Sequence, residues 1–132
     1  MSGWGAVVLA TALLCALPAR ATEKDMAKAM YERYCASCHG TDGKGDGALK
    51  NFLTSKPTDL TQLTKQAGGQ FPFVRVMQII DGTEAVRAHG TSDMPVWGET
   101  FRRQSGSTAA EEAEVRGKLM LITEYIRAIQ AK

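Results

Sequence analysis

Several protein classes are excluded by what the chain lacks. Three cysteines are too few for a disulfide framework. Neither sign of charge dominates: 16 basic against 14 acidic side chains leave +2, without the basic excess of a nucleic-acid binder. The longest strongly apolar run, Gly5 to Leu17, is about 13 residues, short of the roughly 20 that a bilayer-spanning helix needs. There is no internal repeat and no low-complexity tract. What remains is an ordinary composition, 44% hydrophobic and 23% charged over 132 residues, which fits one ordered domain.

The longest apolar stretch, Gly5 to Leu17, carries no charge. At about 13 residues it has the length of the apolar region of a secretory signal. Ala19-Arg20-Ala21 comes next, with the small residues that signal peptidase cuts after, although Met1 to Trp4 lacks the usual basic start. The expectation is a signal peptide over 1–21 and a mature chain from Thr22. Removing 1–21 takes away Cys15 and Arg20, leaving 15 basic and 14 acidic groups and two cysteines. Leu14 before Cys15 argues against a lipid anchor.

In the mature chain, Thr22 and Asp25 have the spacing of a capping box, and Met26, Met30 and Tyr34 then recur at four-residue steps. This predicts a short helix running toward Cys35, with those three on its apolar face. Gly40 to Lys56 reads as irregular loop. A second helix is predicted from Pro72 to Asp81-Gly82, with Phe73, Val76, Met77 and Ile80 on one face. Thr83 to Gly106 shows no clean period and reads mostly as loop, with one helical turn near Glu84 to Arg87. The clearest element is last: Thr108 with Glu111 makes a second capping box. Val115, Leu119, Ile122, Ile126 and Ile129 then form a stripe. No strand pair is visible. The expected fold is all-α, about three main helices with long loops, and long loops in so small a domain call for something that fills the space they enclose.

Cys35-Ala36-Ser37-Cys38-His39 supplies such a filler, for C-x-x-C-H is the attachment signature of c-type haem. Two thiols three positions apart can each bond one vinyl group of a single porphyrin, and the next residue brings an imidazole to the iron. The competing readings are a zinc site from Cys35, Cys38, His39 and His89, a thioredoxin-like redox pair without its strand–helix context, and chance.

A haem that only exchanges electrons takes a second axial ligand, and a thioether raises its potential. Met94 is the candidate, placed in a loop beside the stiffening Pro95. Met26, Met30, Met77 and Met120 lie on predicted helices, where core filling is the expected role. His89 is the alternative ligand. The proximal imidazole needs a partner for its other nitrogen, expected from a carbonyl between Gly40 and Pro57. Asp42 to Gly47 is neither an EF-hand, since Lys44 and Leu53 occupy ligand positions, nor a P-loop. It reads as a tight turn over the haem edge.

These segments together resemble the class I c-type cytochromes, the monohaem, soluble, proteobacterial periplasmic type. The resemblance covers residues 22–132. It rests on Tyr34 through Gly40, Gly43-Lys44-Gly45-Asp46-Gly47, Lys56-Pro57-Thr58-Asp59-Leu60-Thr61 and Phe71-Pro72-Phe73. Beyond these it rests on His89-Gly90 through Met94-Pro95-Val96-Trp97-Gly98, and on Tyr125 to Gln130. It implies a cytochrome c domain over 22–132 in which the first and last helices cross. It also implies one covalent haem c, thioethers at Cys35 and Cys38, and iron ligation by His39 and Met94. Ala48 stands where relatives often carry Pro after the Gly-Asp-Gly turn. Trp97 is a candidate to pack on the haem or bond its propionates, with a plain core role as the alternative.

The resulting expectation is a periplasmic one-electron carrier, not an enzyme, and a monomer. Its partners would be redox proteins (a periplasmic dehydrogenase, oxidase or reductase) docking weakly, with no nucleic acid and no membrane span in the mature chain. Lys44, Lys50, Lys56 and Lys65 could form a docking patch. The alternatives are a haem-bearing subunit of a periplasmic dehydrogenase or oxidase, and a ligand-binding haem sensor or peroxidase.

Overall fold

Two reciprocal caps set the ends of the fold. Thr22 Oγ1 accepts from the Asp25 backbone N–H at 3.2 Å, and Asp25 returns the bond to the Thr22 N–H at 3.0 Å. This starts α1, Glu23–Tyr34. Thr108 and Glu111 make the same box, with distances of 3.3 and 2.7 Å, at the head of the longest helix, Ala109–Ala128. The structure, a computed structural model, describes residues 21–84, 94–106 and 108–132. The proposed signal segment up to Arg20, with Cys15, lies outside the described residues, and so do His89 and most of the turn expected near Glu84 to Arg87.

Between the caps the described residues form four more helices: α2 (Ala36–His39), α3 (Leu63–Gln66), α4 (Phe73–Asp81) and α5 (Trp97–Ser105), with Ala109–Ala128 as α6. Short 3₁₀ turns occupy Lys50–Phe52 and Leu60–Gln62. No strand occurs among the described residues, and no described helix is long and apolar enough to cross a membrane. The fold is all-α, as expected. α1, α4 and α6 are the three predicted helices, and α4 lies between its predicted boundary residues, with Pro72 as N-cap and Gly82 as C-cap. Gly82 ends it at φ 86°, a left-handed conformation natural to glycine.

α6 is the element on which the others pack: α1, α4 and α5 all lie against it. Its predicted stripe is the core, with Val115, Leu119, Ile122 and Ile126 buried alongside Tyr31, Val76, Ile80 and Phe101. Ile129, at the helix end, is half-buried.

Three expectations change. The face of α1 that meets the core is that of Ala27 and Tyr31, one position on from the predicted one. Tyr31 lies on Tyr125 of α6, with ring centroids 4.6 Å apart. Met30 and Tyr34 border this face, while Met26 is exposed. Met120 is likewise exposed, so of the four helical methionines only Met30 and Met77 pack on the core. Finally, α5 lies within the stretch read as loop. Its only large apolar residues, Trp97 and Phe101, are too sparse for a visible period. Complete burial of Phe101 against the core holds the helix in place.

Because Ile122 is completely buried, Ile122→Ala removes core contacts that the site cannot refill. A loss of about 2–5 kcal/mol is expected in urea denaturation.

Candidate functional site

The Cys35–His39 turn is built as a continuation of α1. The Cys35 N–H donates to Tyr31 O at 2.8 Å and the His39 N–H to Cys35 O at 2.9 Å, so Cys35 closes one helix and opens the next. A helix end leaves its last carbonyls without partners. Here an adjacent loop supplies them. The N–H groups of Gly45, Gly47 and Leu49 donate to the carbonyls of His39, Cys38 and Ser37 at 2.8, 3.1 and 2.9 Å. Such close approach explains the glycines. A Cβ on Gly47 would sit 2.6 Å from the Cys38 carbonyl carbon and oxygen. The tight turn expected over Asp42 to Gly47 is therefore present, closing on the motif itself.

Tyr31, fully buried, adds a second brace. Its hydroxyl donates to the Gly40 carbonyl at 2.7 Å, just beyond the turn. Burial, and then the neighbouring Cys35, raise its pKa, so the phenol keeps its proton. Sequence reading did not single out Tyr31, because one tyrosine between two predicted apolar positions gives no signal of its own.

His39 is buried, with 7% of its surface exposed, and its Nδ1 lies 3.1 Å from the Thr58 carbonyl. A carbonyl can only accept, so Nδ1 carries the proton and Nε2 keeps its lone pair. The partner lies one residue past the Gly40–Pro57 stretch in which it was expected. The physical reason is that the Pro57 carbonyl faces Gly45, against which it packs too closely for any side chain.

Two cavities adjoin at this turn, of about 310 and 280 Å³. Cys35, His39, Thr58 and Met94 border both. The first is walled by Leu60, Leu63, Val76, Ile80 and Ile126, the second by Leu49, Leu53, Pro57 and Trp97. Largely apolar walls with a few convergent polar groups are the character of a cofactor site. All four sequence-predicted site residues meet here, because Cys38 borders the second cavity and Met94, half-buried, borders both. Cys35 and Cys38 are not bridged. Burial and the nearby Cys38 push the Cys35 thiol up to about 12. Among the described residues no group of three or more His, Cys, Asp or Glu could hold a metal ion.

Trp97 does two things at once. It borders the second cavity and packs on Tyr34 and Phe101, with centroids 5.1 and 5.9 Å apart. Of the four lysines, Lys44 is paired with Asp42 at 2.9 Å, Lys50 is exposed, and Lys56 borders the second cavity with Arg33. Lys65 lies on α3, whose Leu63 and Gln66 border the first cavity instead. The four do not all share one cavity mouth.

The family model described as Cytochrome c matches residues 25–116, which include the motif turn, Met94 and the named cavity walls except Ile126. No curated protein and no solved structure matches the chain.

Tyr31→Phe removes the hydroxyl and leaves the Gly40 carbonyl with the Gly43 N–H alone. The variant is expected to lose about 0.5–1.5 kcal/mol in urea denaturation.

Proposed function

The chain belongs to the cytochrome c family, and from that premise we propose that it is a periplasmic electron carrier with a single haem. The family holds haem c covalently and is in general one of electron carriers. In the proposed arrangement the Cys35 and Cys38 sulfurs hold the porphyrin as thioethers, and His39 Nε2 and Met94 Sδ are the axial ligands. Residues 1–21 direct export and 22–132 form the haem domain. The first capped helix beginning at Thr22 fits that boundary.

One observation carries the reading: His39, oriented through Nδ1, borders the same two apolar cavities as Cys35 and Met94. When bound, haem supplies reversible one-electron exchange at its iron. The protein's part is to hold it. The Thr58 carbonyl fixes the imidazole and strengthens it as a donor. The apolar walls keep water away, which favours the less charged ferrous state, as does a thioether ligand. Arg33 and Lys56 at the second cavity give a redox partner a basic edge to meet, in a small and short-lived interface.

The decisive experiment is a visible spectrum of the exported protein, oxidised and reduced, with and without carbon monoxide, together with its mass. Expected are the mass of one covalently added haem, slow or no carbon monoxide binding at neutral pH, and the weak far-red ferric band of iron–thioether bonding. Met94→Ala should abolish that band and open the iron to carbon monoxide. A colourless protein with apo mass, or rapid carbon monoxide binding by the unaltered protein, overturns the proposal. Persistence of the far-red band in Met94→Ala removes Met94 from the ligand set.

A further inference from the structure

We infer that Asp81 and Arg102 are positioning residues for Met94: they lock α5, the helix that Met94-Pro95-Val96 leads into, against α4 and α6. The inference rests on the axial role proposed for Met94.

Met94 stands three residues before α5, and Pro95 next to it has a fixed φ. Where α5 is seated therefore sets how far Met94 reaches toward the cavities it borders. Three contacts seat the helix. At its start, Gly98 lies so close to the end of α4 that a Cβ there would fall 2.6 Å from the Asp81 carbonyl oxygen and closer still to Asp81 Oδ1. Just before it, Val96 packs on Gly82. One turn further on, Arg102 joins all three helices. Its Nη2 is 3.0 Å from Asp81 Oδ1 of α4 and 3.1 Å from Glu112 Oε1 of α6, and its Nε donates to Glu112 Oε2 at 3.2 Å.

The Asp81 end is the demanding one. Its Oδ1 is fully buried and faces the Arg102 guanidinium, with Nη2 3.0 Å away. A buried carboxylate oxygen held this way depends on the guanidinium charge, and removing that charge leaves it uncompensated. The nearest relief is for α5 to shift outward and admit water, which carries Met94 away from its seat. By contrast, the Arg103–Glu99 pair on the same helix, at 3.0 Å, is exposed on both sides and joins two residues of α5 alone.

The test uses the haem-loaded full chain in its ferric form, titrated with imidazole as a competitor for the Met94 position. Arg102→Gln and the nearly isosteric Asp81→Asn are each expected to tighten imidazole binding about tenfold or more, the usual scale for groups that orient metal ligands. The double variant is expected to fall short of the product of the two, because both act through one contact. Arg103→Gln, with the same charge change, leaves imidazole affinity unchanged. So does Thr22→Ala, which removes the α1 cap and separates loop positioning from global stability. Equal imidazole affinity across all six proteins, with the far-red band intact in the unaltered one, overturns the positioning role alone. Absence of that band in the unaltered protein overturns the Met94 ligand reading and the inference with it.

Discussion

The single hydrogen bond from His39 Nδ1 to the Thr58 carbonyl is the constraint around which the rest is arranged. It selects the tautomer and leaves Nε2 as the donor, so the ring cannot serve the site unless Thr58 is where it is. Thr58 in turn is held by the residues next in the chain. Asp59 caps the 3₁₀ turn by accepting from the Thr61 N–H at 2.9 Å, and the Leu60 N–H donates to Gly43 O at 2.7 Å. Gly43 belongs to the same glycine-rich loop that satisfies the carbonyls of the Cys35–His39 turn. The imidazole and its support are thus one closed hydrogen-bonded unit, anchored on both sides to α2.

Packing supplies the other half. α1 and α6 pack with Tyr31 and Tyr125 in contact, and Ile126 beyond that contact, with Val76 and Ile80 of α4, becomes cavity wall. Core and site are made from the same stripe of side chains. Burying Tyr31, Phe101, Val115 and Ile122 fully while leaving two apolar cavities beside them is costly unless something occupies the space, since a dry void forfeits its dispersion contacts. The domain is therefore shaped for a large apolar group, in keeping with its family.

Much of this was legible in the sequence. The two capping boxes, the α6 stripe and the Pro72–Gly82 limits of α4 are local signals, and the Cys35–His39 motif is a chemical one. The parts that could not be read depend on tertiary contacts. α5 has a weak period because its stability comes from burying Phe101. The buried face of α1 was displaced by one residue because aromatic stacking on α6 outweighed the methionine spacing. The partner of His39 was missed by one residue because main-chain carbonyl directions are set by packing at Gly45, which carries no sequence mark beyond its lack of a side chain.

The last residues of the chain close the structure. Gln130 donates to the Leu60 and Ile126 carbonyls at 2.6 and 2.8 Å and accepts from the Thr64 N–H at 2.8 Å, while the Ala131 N–H donates to Thr61 O at 2.9 Å. These bonds fasten the very turn that carries Thr58, yet they reach it from 70 positions further along the chain in the case of Gln130 and Leu60. α6 likewise meets α1 across nearly the whole sequence, so early segments have nothing to fold upon while the chain is still emerging. A polypeptide emerging in order therefore exposes Cys35 and Cys38 before the residues that wall their pocket have been made.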